Sequence, residues 1–204
     1  PTAFYLGAED EPQGPEYELA KGFADELGVA LKIKTLRSFN SIYDAVASGR
    51  AHVAAAGLSV GPLNRRRISF GPPYQEVRQH LVYAQYGFKP RSLAEIGNRR
   101  LEVATASAHA QTLRKARGTL PMLSWVEDSR AETLELLDQL ADGSIDFTMA
   151  DSTEFALAAA AHPEIRIAFD FPERHLLAWA VASRDASLLL AVQSYFARIT
   201  ASGE

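Results

Sequence analysis

The chain has 204 residues, 47% of them apolar and 23% charged, with a formal net charge of −4. That balance fits one large globular domain or two small lobes, and it excludes disorder and nucleic-acid binding, which would need a clustered excess of Lys and Arg. The absence of cysteine removes disulfides, thiol catalysis and thiolate metal sites, and no apolar run approaches the ~20 residues that cross a bilayer, so a soluble chain without membrane insertion is expected.

The chain begins at Pro1 with no basic n-region or cleavage motif, so an export signal has been removed or never existed. Glu16–Leu27 places Tyr17, Ala20, Phe23, Ala24 and Leu27 on one helical face, with Gly28 as the C-cap. At Gly57-Leu58-Ser59 an apolar run ends in a polar corner, and Pro62 follows where a helix could start. The stretch is either an anion-binding corner or a basic surface turn, and Arg66 and Arg67 read as solvated. Ser92–Glu95 and Ser129–Glu132 have capping-box spacing, and Gly118 and Gly143 should end the helices begun near Ser107 and Ser129. Leu101–Thr105, Met122–Val126, Ile145–Ala150, Ile165–Phe169 and Leu176–Ala182 are strand candidates. Alternating strands and helices predict an α/β fold with a largely parallel sheet.

Residues 48–59 and 142–153 align as helix, C-cap glycine, buried strand and polar corner. This is either ordinary αβ-junction chemistry or one unit used in two lobes, whose corners at Ser59 and Asp151 would then face one cleft.

No Gly-x-Ser-x-Gly, His-Glu-x-x-His, phosphate-binding loop or dinucleotide fingerprint occurs. No catalytic residue, cofactor or metal is expected: His52, His80, His109, His162 and His175 lack ligand spacing and read as surface or satisfied histidines. The adjacent acidic groups, such as Glu127-Asp128, read as solvated surface. Asp151, at the end of a buried strand, is either the N-cap of a helix over 152–161 or a counter-ion for a ligand ammonium. Thr105–His109 opens a helix whose amides at Ser107 and Ala108 could receive a carboxylate. With Ser59 they would form a dipolar trap.

Over nearly its whole length the chain resembles the type II periplasmic solute-binding proteins of the polar-amino-acid class. The resemblance lies in Gly14–Ala20, Gly57-Leu58-Ser59, Phe70-Gly71-Pro72-Pro73-Tyr74, Ile145–Asp151 and the closing helix over 187–199. More narrowly, residues 54–58, 70–74 and 145–152 are similar to the N-terminal binding domain of the membrane-bound lytic murein transglycosylase F family, where a separate catalytic domain cleaves peptidoglycan. The resemblance implies a two-lobe periplasmic-binding-protein-like α/β fold closing on its ligand, with two crossing strands near His80–Gly87 and Phe171–Ala180. The lobes would comprise residues 1–83 with 176–204, and residues 84–175. It further implies that Asp151 meets a ligand α-amino group while Ser59 and the Ser107 and Ala108 amides meet its carboxylate, with Gly57 in the same ligand-binding corner.

Asn64 departs from the family, which has a carboxylate-pairing arginine seven residues after the glycine; Gly61, Leu63 and His52 also replace habitual residues. A hydrogen bond to a charged group is worth roughly 1.5–3 kcal/mol, so its loss weakens a free amino acid at least tenfold or so. Either Arg65 takes the role, or the ligand has no free carboxylate there. The second is the hypothesis adopted, with a peptide or muropeptide fragment as ligand.

The expected function is therefore a non-catalytic, periplasmic binding and regulatory domain. Its parent would carry a C-terminal catalytic domain past Glu204 and associate with the outer membrane. The alternative is the freestanding solute-binding component of an amino-acid importer. An enzyme within these residues ranks third, since no nucleophile–base pair can be assembled.

Overall fold

In the computed structural model, residues 5–6, 12–36, 38–61 and 67–202 are described. In chain order the elements are β1 (Tyr5–Leu6), β2 (Pro12–Gln13), α1 (Pro15–Glu26), α2 (Phe39–Ser48), β3 (Val53–Ala54), β4 (Ile68–Ala84), β5 (Leu101–Ala104), α3 (Ala108–Ala116), β6 (Val126–Asp128), α4 (Thr133–Ala141), β7 (Phe147–Asp151), α5 (Ser152–Ala161), β8 (Ile165–Ala182) and α6 (Ala186–Ser202). The chain divides into two compact units: residues 1–36, 41–76 and 176–204, and residues 37–40 with 77–175. The passages at 76/77 and 175/176 fall inside β4 and β8. The resemblance implies a first passage seven residues later, after residue 83.

In the first unit, α1 starts where Gly14 (φ 117°) turns the chain into Pro15, whose fixed φ suits the first helical position. Glu16 and Glu18 then lie at the positive end of the helix dipole. Gly28 (φ 67°) ends it, as expected, and the helix runs one residue earlier than predicted. Phe23 and Ala24 are buried as predicted, but Leu27 is 44% exposed at the cap. The core is aromatic: Trp179 on β8 meets Phe196 edge-on at 4.9 Å, and Tyr74 stacks on Phe196 at 5.5 Å. Burying one such ring removes roughly 200 Å² from water, worth about 4–5 kcal/mol at ~25 cal/mol per Å². Gly71 on β4 lets α6 approach, since a Cβ there would sit 2.9 Å from Cγ1 of Val192.

In the second unit β7 lies between β4 and β5, antiparallel to the first and parallel to the second. All of β7 is buried, and its period of two sends Phe147 and Met149 to one core with Leu101, Val103 and Leu113, and Ala150 to the other with Leu136, Leu137 and Leu140. Helices therefore cover both faces. The sheet is mixed where a largely parallel one is expected, because β4 enters against the direction of β5, β6 and β7.

Four local expectations are corrected. Ser92–Glu95 is a single 3₁₀ turn, not a helix: the Glu95 carboxylate accepts from the Arg91 N–H at 2.8 Å, leaving Ser92 uncapped, and Gly97 (φ 62°) turns the chain away. The α4 cap is Glu132 and not Ser129, because the Asp128 carboxylate accepts from Arg130 (2.7 Å) and Ala131 (3.3 Å) and holds that segment as a turn. The strand expected at Met122–Val126 lies at Val126–Asp128, with Met122 91% exposed in the turn closed by Leu123 N–H on Leu120. The two strand candidates at 165–169 and 176–182 are one 18-residue strand whose middle is exposed and polar, which splits its apolar pattern.

The aligned segments show the same junction geometry. Gly49 and Gly143 have φ of 80° and 81°, and Arg50 and Ser144 each donate to the carbonyl five residues back, at 2.8 and 2.9 Å. One copy lies in each unit. β3 has two residues and β7 five, so the strand halves differ.

Candidate ligand-binding site

The Gly57-Leu58-Ser59 corner belongs to the first unit. Gly57 sits at φ 59°, a conformation that favours glycine, and donates its N–H to Oε1 of Glu16 at 3.1 Å. The Leu58 carbonyl accepts from Ala178 at 3.0 Å, Ser59 bridges Leu177, and Val60 donates to Leu176 at 2.8 Å. The corner is thus clipped along the C-terminal half of β8, with Leu58 wholly buried beneath it and Ser59 half-buried.

Glu16 anchors this arrangement and was not singled out by the sequence pattern. Only 3% exposed, its carboxylate accepts from the Tyr74 hydroxyl, from Nε1 of Trp179 at 2.6 Å and from Gly57. Burial pushes the Glu16 carboxyl above its ordinary range against the pull of those three hydrogen bonds. It also raises the Tyr74 hydroxyl, with the negative charge of Glu16 adding to the effect. Three of the segments carrying the solute-binding resemblance (14–20, 57–59 and 70–74) meet at this carboxylate. Asn64 and Arg65 lie in residues 62–66, outside the described residues.

In the second unit, Ser107 is buried and caps α3, its Oγ accepting from Ala110 N–H at 3.1 Å. Its hydroxyl therefore serves the helix, while Ala108 and its amide open the first turn. Ala106 just before it has φ 60°, a strained value for a residue with a Cβ. Asp151 ends β7 and stands at the N-cap of α5, where its N–H donates to Oε2 of Glu154 at 2.8 Å. Its Oδ1 lies 3.2 Å from Nε2 of His109, and that nitrogen is 3.9 Å from Glu154. All three residues are buried.

Burial disfavours a charged His109, but Asp151, by charge and hydrogen bond, and Glu154 outweigh it and hold the imidazole above its ordinary range. Glu154 is raised by burial and by the charge of Asp151, against His109. The ligand atoms of the trio lie within 4.8 Å of one another, close enough to hold a small cation. The N-termini of α3 and α5 both open here and favour negative charge, and the His109 imidazole already stands against both carboxylates.

The sequence reads His109 as a surface or satisfied histidine without its partner, and does not single out Glu154. Glu154 stood in a readable Asp-x-x-Glu capping spacing; His109 is 42 residues from its partner, and no local pattern joins them.

The whole chain, residues 1–204, matches the bacterial extracellular solute-binding proteins, family 3. The chain belongs to that family. Among curated relatives, the membrane-bound lytic murein transglycosylase F of Saccharophagus degradans is 33% identical over 204 residues, which is 100% of this chain and 40% of the relative. That of Yersinia enterocolitica is 36% identical over 201 residues, 98% of this chain and 41% of the relative. This solute-binding chain therefore spans about two-fifths of the length of those relatives.

Among solved structures, an arginine-binding protein mutant from T. maritima superposes with TM-score 0.88 at 20% identity, covering 100% of this chain and 86% of that one. An ancestral arginine-binding protein bound to arginine also gives 0.88 at 20% identity, covering 100% and 89%. The fold is that of the two-lobe periplasmic binding proteins, mixed α/β in class. No helix among the described residues is long and apolar enough to cross a membrane.

Proposed function

We propose that this solute-binding chain is the non-catalytic, ligand-sensing part of a larger cell-wall protein of the lytic murein transglycosylase type. On this reading it acts in the periplasm, held near the outer membrane by its parent, and controls a glycan-cleaving domain that follows it. The observation that carries the proposal is the match of the full chain, at 33% and 36% identity, to relatives bearing that name of which it spans about two-fifths. The residues proposed for ligand contact are Gly57, Ser59, Asn64, Arg65, Ser107, Ala108 and Asp151. The Glu16-anchored corner supports the first two, and the capped, buried start of α3 supports Ser107 and Ala108.

The ligand is an amino acid, a peptide or a muropeptide fragment. Asn64, neutral where an arginine would fix a carboxylate, favours a ligand without a free carboxylate at that point. Regulation follows if the ligand binds one conformation of the chain more tightly than another, since a ligand shifts an equilibrium only by that difference. Calorimetry with free amino acids and with cell-wall stem peptides tests the reading. Tight binding of the peptides supports it, and tight binding of a free amino acid through Arg65 overturns the ligand assignment. Glycan-cleaving activity in this segment alone would overturn the non-catalytic assignment.

A further inference from the structure

In the second unit, the turn that ends β4 exposes aromatic and cationic side chains together. The Gly87 N–H donates to the Ala84 carbonyl at 2.7 Å and closes the turn, leaving Tyr86 89% and Phe88 44% exposed. Two exposed rings so close in sequence are apolar area that the fold itself does not use. Cations stand around them. The Arg99 guanidinium lies 4.0 Å from the centroid of the Phe88 ring, and Nζ of Lys89 lies 6.0 Å from that of Tyr83. Arg166, at the start of β8, donates to Oε1 of Gln85 at 3.0 Å and adds its charge to the same turn.

Residues 83–100 hold Lys89, Arg91, Arg99 and Arg100 against the single acid Glu95, in a chain whose net charge is −4. The carboxylates nearby are engaged with other groups. Glu95 accepts from the Arg91 backbone N–H at 2.8 Å, Asp146 from the Arg100 backbone N–H at 2.7 Å, and Glu164 faces His162 at 3.3 Å. Arg100 pairs with Glu102. Lys89, Arg91, Arg99 and Arg166 are all exposed and have no carboxylate partner among the described residues.

The chemistry of these groups selects a partner. They offer N–H donors, positive charge and ring surface. A glycan strand presents hydroxyls, which call for acceptors as well as donors. The face of an anionic bilayer presents phosphate oxygens, which are acceptors only, above an apolar layer. Tyrosine and phenylalanine suit the boundary between those layers, while lysine and arginine reach the headgroups.

We propose that the turn over residues 85–91, with Arg99 and Arg166, is a peripheral contact for an anionic phospholipid surface. The contact is made by side chains at headgroup level, with no element inserted. It goes beyond the ligand-sensing reading and does not depend on it.

The test is co-sedimentation of the intact chain with vesicles of phosphatidylethanolamine and phosphatidylglycerol, and with vesicles of phosphatidylcholine alone. Binding should appear with the first and not the second, and should fall steeply between about 50 and about 500 mM salt. Each basic residue near an anionic surface is worth roughly a fivefold step in partitioning, so K89Q/R91Q should lower it at least about tenfold. Tyr86→Ser, at a side chain the fold leaves exposed, should lower it at least roughly threefold. K32Q/K34Q, at two exposed lysines of the first unit, should leave it unchanged. In Tyr86→Trp, the added indole should be quenched by brominated acyl chains. Equal partitioning onto both vesicle types, or none onto either, overturns the proposal, as does an equal loss in K32Q/K34Q. Sedimentation with purified peptidoglycan that needs Tyr86 and Lys89, without vesicle binding, overturns it in favour of a glycan. Each of these failures leaves the ligand-sensing reading standing.

Discussion

Glu16→Ala removes the acceptor on which Tyr74, Trp179 and Gly57 converge. Trp179 is 1% exposed, so its indole N–H would have no water to turn to. A buried donor left unpaired costs about 1–3 kcal/mol. The Tyr74 hydroxyl can rotate, and the half-buried Gly57 can recover a solvent bond, so the indole and the loss of corner geometry dominate. A destabilisation of about 2–4 kcal/mol follows on that basis, equivalent to roughly 4–16 °C in Tm for a chain of this size. Urea unfolding followed by tryptophan fluorescence reads it directly, with Trp179 reporting from the affected core. Glu16→Gln, which keeps the shape and one acceptor, should recover part of the loss. A Glu16→Ala chain within about 0.5 kcal/mol of wild type, the ordinary scatter of surface substitutions, would refute the anchoring role.

Gly71→Ala places a methyl 2.9 Å from Val192, itself fully buried, and should cost about 1–3 kcal/mol by overpacking, read as a lower urea midpoint with unchanged slope. Ser107→Ala removes the α3 cap and should cost about 1 kcal/mol in the same assay, with hydrogen exchange rising first in the opening turn of α3. Glu132, pushed up mainly by burial to about 7, binds its proton in the folded chain at pH values where the unfolded chain has released it. Its contribution to stability therefore falls as pH rises from about 4.5 to about 7 and is constant above, and Glu132→Gln should flatten the unfolding free energy across that window. A slope unchanged by Glu132→Gln assigns the dependence to other carboxyls.

What the sequence disclosed and what it hid divide along range. The α1 face, the left-handed glycines at 28 and 143, and the burial of β7 are local matters of period and φ, and they stand in the structure close to where the pattern puts them. Misplaced starts came from competition among neighbouring side chains. Ser129 has a capping spacing, but Asp128 takes the nearby N–H groups first. Ser92 has one too, but Glu95 bonds Arg91 instead. Glu16 carried no local signal because its importance comes from partners up to 163 residues away.

Asp151 shows why a residue can be located correctly while its chemistry stays open. A strand-ending aspartate before a helix reads equally as an N-cap or as a ligand's counter-ion, and both descriptions concern one carboxylate at one place. The structure divides the work among neighbours. Glu154 reaches back to the Asp151 N–H, and the Asp151 carboxylate faces the imidazole of His109. A partner for the carboxylate is thus present in the chain itself, on a residue whose position in α3 gives no hint of β7.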